Sequence, residues 1–501
     1  MGPETYHHQQ QLNIFFFPFM AQGHMIPMID MAKLFSSRGA KTAIITTPHN
    51  ANLISKWLDQ TKNSTGLEIA THIIKFPAEE SGLTENNGNL DQTDLIDLGV
   101  KLFLATRLLQ PPLEELLQSH RPDCLVSDTF LPWTTDAAAK FGVPRIVFHC
   151  TCFFSWCCSD TMRAYKPHEN VSSDTEKFLI PNLPDKIELT RMQLPDLVKQ
   201  GIDSEFARLL KLSMQLDLKC FGVVVNSFYE LEPAYADHYR NITGRKAWHI
   251  GPVSLCNRDN EDKAQRGQEA SIDEHECLKW LDSKKPNSVV YACFGSTSNF
   301  PASQLLEIAM GLEASGQDFI WVVRGSRIKK QGNEDEEEDT INGEKWLPEG
   351  FEKKMEGKGL IIRGWAPQVL ILDHESIGGF VTHCGWNSTL EGICAGVPMV
   401  TWPVSAEQFY NEKLVTQILK IGVAVGAKEW IWRSLVGDGV KRDMVEKAIS
   451  RIMVGEESEE MRSRAKAFGG MAQKAMEEGG SSYNDLNALM EELRLYNNAS
   501  K

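Results

Sequence analysis

One pattern of secondary-structure signals occurs twice along the chain, and it limits the folds that the chain can adopt. Residues 12–17 form a short apolar run typical of a buried strand, residues 25–35 carry apolar side chains at helical spacing, and residues 42–46 indicate a second strand. The same order of strand, turn, helix and strand returns over residues 289–323. A helix that links two strands is the repeating unit of parallel α/β sheets. The sequence therefore predicts an α/β fold with two doubly wound parallel sheets.

The length of the chain also favours two domains. Its 501 residues exceed what one hydrophobic core usually serves. Residues 256–276 are polar and charged with little periodicity, which is typical of a surface linker. We therefore assign residues 1–255 to a first domain and residues 277–480 to a second. Residues 481–501 include a run with helical spacing, which predicts a C-terminal helix that packs back on the first domain.

Charge and cysteine content disfavour several classes of protein. The 52 basic and 67 acidic residues give a net charge of −15, which repels nucleic acid and anionic lipid. The longest early apolar run, residues 12–20, is too short to span a bilayer and has no cationic flank. The 11 cysteines form no matched CxxC pairs, so we expect buried free thiols. We expect a cytoplasmic monomer with no nucleic-acid partner and no membrane span.

One stretch of the second domain is strongly acidic. Within residues 329–345, Asn333 is followed by six consecutive acidic residues. Like charges at this density oppose compaction. We interpret the stretch as a mobile surface loop rather than as a functional acidic patch.

A polar segment follows the strand-like run at residues 379–382 and opens a predicted helix. Asn387 and Ser388 are good helix-capping residues, Gly385 lets the backbone approach a ligand closely, and the free N–H groups of a helix start attract anions. Taken alone, this segment is either an ordinary capped helix in which His383 has a structural role or a seat for a phosphate group.

A longer stretch around these residues resembles the signature box of the plant family-1 UDP-sugar glycosyltransferases. The matching residues are Trp365-Ala366-Pro367-Gln368, His383-Cys384-Gly385-Trp386-Asn387-Ser388, Glu391 and Glu407-Gln408. Residues 15–24 and 126–128 extend the resemblance over nearly the whole chain, closest to the group with terpenoid and flavonoid acceptors. The resemblance implies the GT-B fold, in which two Rossmann-like domains face each other across a cleft. It also implies that the first domain binds the acceptor and the second binds the nucleotide sugar.

The resemblance assigns four residues to the uridine of the donor. The indole of Trp365 would stack on the uracil ring, as flat aromatic surfaces suit nucleobases. The backbone of Ala366 would contact the edge of the base. Gln368 and Glu391 would bind the ribose hydroxyls, for which a carboxylate offers two acceptor oxygens.

The resemblance assigns a second set of residues to the diphosphate and the sugar. The diphosphate would be held by Ser296, His383, Asn387 and Ser388. The sugar hydroxyls would be bound by Glu407 and Gln408, with help from the backbone of Trp386. The chain departs from the family pattern at Ser405, where a bulky residue is more common, and at Glu407, where Asp is frequent.

His24 and Asp128 are the predicted catalytic residues. His24 lies in the loop after the first strand, and Asp128 ends the strand-like run that begins at residue 124. A lone histidine is usually structural, but here it would take the proton from an acceptor hydroxyl as that oxygen attacks the anomeric carbon of the sugar. Asp128 would hold the imidazole in the useful tautomer and stabilise its cation.

The predicted activity is an inverting transfer of glucose from UDP-glucose to a hydroxyl of an apolar small molecule, either a triterpenoid or steroid or a flavonoid or phenol. The residue types at Trp386 and Gln408 favour glucose within the resembled family, and UDP-galactose and UDP-glucuronate are the alternative donors. No Asp-x-Asp motif occurs in the chain. We therefore expect catalysis without a metal or any other cofactor, with the UDP-sugar as co-substrate.

Two other classes of protein compete with this interpretation. A nicotinamide-dependent oxidoreductase could use the same sheets, but the chain lacks the Gly-x-Gly-x-x-Gly motif. A nucleotide-sugar-binding module without catalysis would keep the phosphate seat but would not need His24 and Asp128. The presence of both residues at predicted strand ends favours an enzyme.

Aromatic residues of the first half could contact the acceptor. They are Phe130, Trp133, Phe153, Phe154 and Trp156. Aromatic side chains in such segments belong to the core more often than to a binding site. The sequence leaves this choice open.

Overall fold

The computed structural model shows two parallel sheets, each with helices packed on both faces. The acidic run over residues 333–339 lies outside the described part of the chain. The residues described are 11–83, 89, 96–199, 201, 205–296, 298, 300–323, 340–341, 344–431 and 439–499.

The first sheet is built almost entirely from central strands that are buried on both faces. Seven strands pair in parallel in the order β3-β2-β1-β4-β5-β8-β9, and two others form an antiparallel hairpin, with these bounds: β1 (Asn13–Phe17), β2 (Lys41–Thr46), β3 (Ile69–Ile73), β4 (Cys124–Asp128), β5 (Arg145–His149), β6 (Lys177–Ile180), β7 (Ile187–Thr190), β8 (Gly222–Val225) and β9 (Ala247–His249). Along β1, Phe16 packs into one buried cluster while Phe15 and Phe17 pack into another. The strand is therefore apolar throughout because both of its faces are covered.

The helices of the first half connect these strands or lie in the loops between them. The first begins after residues 18–21, which follow β1, and His24, which we predicted in the loop, lies in its first turn. The helices are α1 (Gln22–Ser37), α2 (Pro48–Thr65), α3 (Ala78–Ser81), α4 (Ile96–Ala105), α5 (Gln110–His120), α6 (Thr134–Ala139), α7 (Phe153–Tyr165), α8 (Asp196–Lys199), α9 (Glu205–Asp217), α10 (Pro233–Thr243), α11 (Asn260–Ala264) and α12 (Glu274–Asp282).

The second sheet repeats the arrangement of the first. Six parallel strands follow the order β14-β11-β10-β15-β16-β17, and a short antiparallel pair lies apart, with these bounds: β10 (Val289–Cys293), β11 (Asp318–Val323), β12 (Thr340–Ile341), β13 (Glu344–Lys345), β14 (Gly359–Arg363), β15 (Ile377–Thr382), β16 (Met399–Thr401) and β17 (Gly422–Ala424). The helices of this half are α13 (Ala302–Ser315), α14 (Phe351–Lys354), α15 (Gln368–Leu372), α16 (Trp386–Cys394), α17 (Gln408–Lys413), α18 (Arg442–Met453), α19 (Ser458–Met476) and α20 (Ser481–Ala499).

Each sheet has one point at which the strand order reverses. In the first sheet β1 lies between β2 and β4, and in the second β10 lies between β11 and β15. Connections leave such a pair of strands toward opposite sides, so a crevice opens outside their carboxyl ends. The predicted catalytic residues follow β1 and end β4, and the predicted diphosphate residues follow β10 and β15. The topology therefore places both groups in crevices of the kind that bind ligands.

Several contacts join the two halves. One buried hydrophobic cluster contains residues of both, including Phe228 and Trp386. The last helix, α20, packs on the first half through Leu489 and its apolar neighbours, and Asp485 on α20 accepts a hydrogen bond from the His249 N–H at 2.9 Å. The domain limits given above stay a prediction.

The segment that connects the halves differs from the predicted surface linker. Asn257, Asp262 and Arg266 are buried. Asn257 accepts a hydrogen bond from Lys33 on α1 and donates one to Asp30 on the same helix, both within 2.9 Å. A polar segment can be buried in this way because its side chains find partners there.

The 11 cysteines are free, as predicted, and seven of them are buried. The other four, Cys150, Cys220, Cys256 and Cys293, are half-buried. Among the described residues, no helix is both long and apolar enough to cross a membrane.

Candidate active site

The structure brings the two predicted catalytic residues together. Because β1 and β4 are neighbouring parallel strands, the turn after β1 lies beside the end of β4. His24 Nδ1 is 2.7 Å from Asp128 Oδ2, and the Asp128 side chain is fully buried. The other carboxylate oxygen accepts the Phe130 N–H at 2.9 Å. Since a carboxylate only accepts, Nδ1 carries the proton and Nε2 is left for a substrate.

The surroundings of His24 make it a stronger base than an ordinary histidine. Burial is the largest single effect and disfavours the charged imidazole, but the charge and hydrogen bond of Asp128 together with the interactions of Cys150 outweigh it and raise the pKa of His24 well above 6.5. The Cys150 thiol contributes in the same direction through a hydrogen bond with the imidazole. Nothing in the sequence indicated that Cys150 would lie here, because Cys150 follows β5 whereas His24 lies in the first turn of α1.

Aromatic rings surround the imidazole. The ring centroids of Phe19 and Phe130 lie 5.4 and 5.3 Å from that of His24, and Phe103 stacks on Phe19 at 4.5 Å. Of the five aromatic residues left open by the sequence, Trp133, Phe153 and Phe154 are buried in the core, whereas Phe130 and Trp156 are half-buried. Phe130 is the member of this set that contacts the base.

The predicted diphosphate residues meet at the ends of β10 and β15. Half-buried Ser296 follows Gly295, and the buried His383 ring lies between Gly295 and Gly385. A Cβ atom on Gly295 or Gly385 would come within 2.6 or 2.4 Å of that ring, and Gly295 has a φ of +73°. Glycine at both positions, because it has no side chain, therefore leaves room for the His383 ring.

His383 is uncharged at neutral pH. Burial lowers its pKa to about 4. Its Nδ1 is buried without a hydrogen-bond partner among the described residues. The side chain can thus offer an N–H group to a phosphate oxygen, but it does not supply a positive charge.

The predicted ribose residues form one hydrogen-bonded group. Gln368 Nε2 donates to Glu391 Oε2 at 2.7 Å and to Ser388 Oγ at 3.0 Å. The Tyr291 hydroxyl donates to the other amide atom, Gln368 Oε1, at 3.4 Å. The ribose group and the diphosphate group are therefore continuous through Ser388.

The connecting segment contacts Trp365, the predicted base-stacking residue. A Cβ atom on Gly267 would lie 2.5 Å from the Trp365 indole. Ser271 bonds the backbone of Trp365 twice, accepting its N–H at 3.0 Å and donating to its carbonyl at 2.8 Å. Ala366 is buried, and its carbonyl accepts the Gln368 N–H at 2.8 Å. Arg266, which the sequence did not single out, donates to Glu391 Oε1 at 2.5 Å.

The two predicted sugar residues differ in the hydrogen-bonding groups that they can present to a ligand. Gln408 Oε1 accepts the N–H groups of Val404 and Ser405, both at 2.8 Å, so it holds the loop before α17 and only the NH₂ group of Gln408 remains. Burial raises the pKa of Glu407, whereas the Asn411 amide, the charge of His24 and the Trp386 N–H favour its ionised form. Glu407 therefore lies near enough to His24 for their charges to interact across the boundary between the halves.

A proline explains how the two halves meet at this site. Pro27 lies inside α1 and has no N–H to donate to the Gly23 carbonyl, four residues earlier. That carbonyl instead accepts the Asn387 Nδ2–H at 2.6 Å. Trp386 Nε1 donates across the same boundary to the Asn226 carbonyl at 2.7 Å. The start of α16 is therefore fixed beside the residue that precedes the base.

Comparison with known proteins agrees with this arrangement. Residues 261–430 match the family model described as UDP-glucoronosyl and UDP-glucosyl transferase. The chain is 57% identical over 486 residues to scopoletin glucosyltransferase of Nicotiana tabacum, covering 97% of this chain and 98% of the relative. It is also 57% identical over 491 residues to UDP-glucose flavonoid 3-O-glucosyltransferase 7 of Fragaria ananassa, covering 97% and 96%. The chain belongs to the UDP-glycosyltransferase family.

Solved structures of UDP-glycosyltransferases confirm the fold. The crystal structure of Glycyrrhiza uralensis UGT73P12 with glycyrrhetinic acid 3-O-monoglucuronide has a TM-score of 0.88 and 41% identity, covering 98% of this chain and 97% of that one. The predicted GT-B fold and family are confirmed, and the oxidoreductase alternative is set aside. This UDP-glycosyltransferase is an enzyme that takes a UDP-sugar donor and a small-molecule acceptor. Among the residues described, no group of three or more His, Cys, Asp or Glu could hold a metal ion.

The pKa of His24 predicts how the activity depends on pH. A protonated imidazole cannot accept a proton, so kcat/KM should rise as the pH increases through a pKa above 6.5. Asp128→Asn removes the charge that raises this pKa, so the rise should move to lower pH while kcat falls. Kinetics between pH 5 and 9 test this, with exposed Asp136→Asn as the control. An unmoved profile in Asp128→Asn would show that another group titrates.

Proposed function

We propose that the protein transfers glucose from UDP-glucose to a hydroxyl group of an apolar phenolic or terpenoid small molecule, with inversion at the anomeric carbon. The observation that carries this proposal is the hydrogen bond from Asn387 to the Gly23 carbonyl, which places the base beside the start of α16. The named glucosyltransferase relatives act on scopoletin and flavonoids, and they support glucose as the sugar and hydroxylated aromatic compounds as acceptors.

In the proposed reaction His24 activates the acceptor. Its Nε2 takes the hydroxyl proton while the acceptor oxygen forms a bond to the anomeric carbon. The bond from that carbon to the UDP oxygen breaks on the opposite face, which inverts the configuration. Asp128 stabilises the resulting imidazolium across the 2.7 Å hydrogen bond.

Groups of the second half would stabilise the negative charge that develops on the leaving UDP. The helix α16 begins shortly after β15 ends, and the free backbone N–H groups of a helix start stabilise anions. Asn387 and Ser388 add polar side chains, Ser296 lies across the crevice, and neutral His383 adds a hydrogen-bond donor. In the proposed reaction these groups are already in position to stabilise the negative charge that develops on the UDP oxygen as its bond to the sugar breaks.

Glu407 and Gln408 are the residues that we propose to bind the sugar. Glu407 offers a carboxylate beside the Trp386 N–H, and Gln408 offers its NH₂ group because its oxygen holds the loop. Hydroxyl-matched groups of this kind select against sugars that leave them unpaired. A clear preference for UDP-galactose or UDP-glucuronate in competition would contradict the proposed donor.

We propose a monomeric protein of the cytoplasm, in which residues 1–255 bind the acceptor and residues 277–480 bind the donor. A nucleotide-sugar-binding module without catalysis, the alternative from another class, is set aside because the chain belongs to a family of transferases. The pair of half-buried His24 and buried Asp128 agrees with catalysis, because binding UDP alone would not need it.

His24→Ala tests the proposed base. Turnover should fall by roughly 10²–10⁴-fold, as is typical when a general base is lost. UDP binding measured by calorimetry should persist, because the proposed nucleotide contacts lie in the other half. His275→Ala, an exposed histidine of α12, is the matched control and should retain full turnover. Normal turnover in His24→Ala would contradict the mechanism, and lost UDP binding would place His24 in the donor site.

Metal dependence is tested with a chelator. The proposed groups for the leaving diphosphate are N–H and hydroxyl donors, so we expect the same initial rate in EDTA as in buffer. The assay follows product by mass shift with UDP-glucose and a panel of hydroxylated acceptors. A rate that EDTA abolishes and magnesium or manganese restores would overturn metal-independent catalysis.

A further inference from the structure

A buried arginine contacts the segment that carries Asp128. Arg145 begins β5, the strand that pairs with β4, and its side chain is only 1% exposed. Its charge is balanced by the buried carboxylate of Asp217, the last residue of α9, at 3.3 Å. Replacing a buried ion pair with apolar side chains is often neutral or stabilising. Stability alone therefore does not account for a charge at this place in the sheet.

The Arg145 guanidinium bonds three groups of the segment over residues 127–135. Its Nε donates to Ser127 Oγ at 2.6 Å, and its Nη1 donates to Thr135 Oγ1 at 2.6 Å. Its Nη2 donates to the backbone carbonyl of Asp128 at 2.9 Å. Because a guanidinium presents its donors in a rigid planar fork, these three bonds together fix the path of the chain after β4.

A chain of hydroxyl groups extends this network. Thr134 Oγ1 lies 2.8 Å from Ser127 Oγ and donates to the Leu131 carbonyl at 2.6 Å. Since the Thr134 proton is used in that bond, Ser127 donates to Thr134, and the hydrogen bonds run in one direction from Arg145 to Leu131. Hydrogen bonds in such a chain strengthen one another. The turn that follows Asp128 is therefore held from the guanidinium onward.

Asp217 and its helix contact the same segment. Asp217 Oδ2 accepts the Thr129 hydroxyl at 3.1 Å, and Ser213, also on α9, donates to the Thr129 carbonyl. The residues on both sides of Asp128 are thus held by the ion pair and by α9. The direction of the Asp128 carboxylate toward His24 Nδ1, 2.7 Å away, depends on this backbone.

We propose that Arg145 is a positioning residue of the transfer reaction: its guanidinium fixes the segment after β4 so that the Asp128 carboxylate is aimed at the imidazole of His24. The inference rests on the proposed function, because it takes Asp128 as the partner of the base. Arg145 acts on the reaction through Asp128. A displacement of about 1 Å in a group of this kind can lower the rate by roughly 10²-fold.

Arg145→Lys tests the proposal in the whole chain. The ammonium keeps a positive charge for Asp217 but lacks the fork that reaches three partners at once. With UDP-glucose and the best acceptor of the panel used for the chelator assay, kcat should fall by roughly 10- to 100-fold. The Kd for UDP, measured by calorimetry, should stay that of the parent, because the proposed nucleotide contacts lie in the other half.

Two results in folded Arg145→Lys would overturn the inference. An unchanged kcat would show that Arg145 is only structural. A Kd for UDP that rises together with the loss of kcat would show general damage to the enzyme. Thermal unfolding of the variant gives the temperature below which it is folded, and the kinetics are measured there.

Arg240 of α10 provides the matched control. It also donates to a backbone carbonyl, that of Ala247 at 3.1 Å, and it forms an ion pair with Asp237. Arg240→Lys should keep the kcat and the Kd of the parent. An equal loss of kcat in Arg240→Lys and Arg145→Lys would contradict a specific role for Arg145.

A double-mutant cycle with Asp128→Ala identifies the residue through which Arg145 acts. With no carboxylate to place, Arg145→Lys should cost no further kcat in the Asp128→Ala background. Losses that multiply would show that Arg145 acts independently of Asp128, which overturns the inference alone. Normal turnover in Asp128→Ala by itself would refute the role of Asp128 in the proposed function, and the inference with it.

Ser127→Ala covers the case in which Arg145→Lys does not fold. It leaves the ion pair with Asp217 in place and removes one bond of the guanidinium, at the residue before Asp128. We expect a smaller fall in kcat than for Arg145→Lys, again with an unchanged Kd for UDP. The kcat of the parent in folded Ser127→Ala would count against the inference.

Discussion

A proline in the first helix leaves one carbonyl without its usual donor, and the two halves of the enzyme meet there. Pro27 cannot donate to the Gly23 carbonyl, and the Asn387 amide takes that place at 2.6 Å. The residue after Gly23 is the base, and the residue after Asn387 belongs to the proposed phosphate seat. This hydrogen bond, whose acceptor is left available by the missing N–H, is one of the contacts that place the proposed base beside the proposed phosphate seat.

The pKa values of two histidines at this junction are shifted in opposite directions by different causes. A buried carboxylate raises the pKa of His24, which makes it a strong base. Burial between two glycines lowers the pKa of His383 to about 4, which keeps it a neutral donor. Proton transfer and anion binding are thus assigned to separate residues. The acidic groups Glu391 and Asp30 share the guanidinium of Arg266 across the same boundary.

The sequence predicted features that depend on local patterns, and it missed those that depend on distant contacts. Short apolar runs and the residues at their ends predicted the strands β1 and β10, the helix α1 and the positions of His24 and Asp128. The buried position of Arg266 could not be predicted in this way, because a charged segment with little periodicity does not indicate that one of its side chains will be buried against a carboxylate. The use of Gln408 Oε1 to hold a loop was likewise invisible, since it depends on the backbone of the preceding turn.

We propose above all that one acceptor molecule binds between the base and the donor site, next to the contact of Gly23 with Asn387. A crystal structure with UDP and a hydroxylated acceptor tests it most directly. The account predicts an acceptor hydroxyl within roughly 2.6–3.2 Å of His24 Nε2, the distance at which a base can take its proton. It also predicts that this hydroxyl faces the β-phosphate of UDP bound at the start of α16. An acceptor hydroxyl held away from His24, or UDP bound elsewhere, would contradict it.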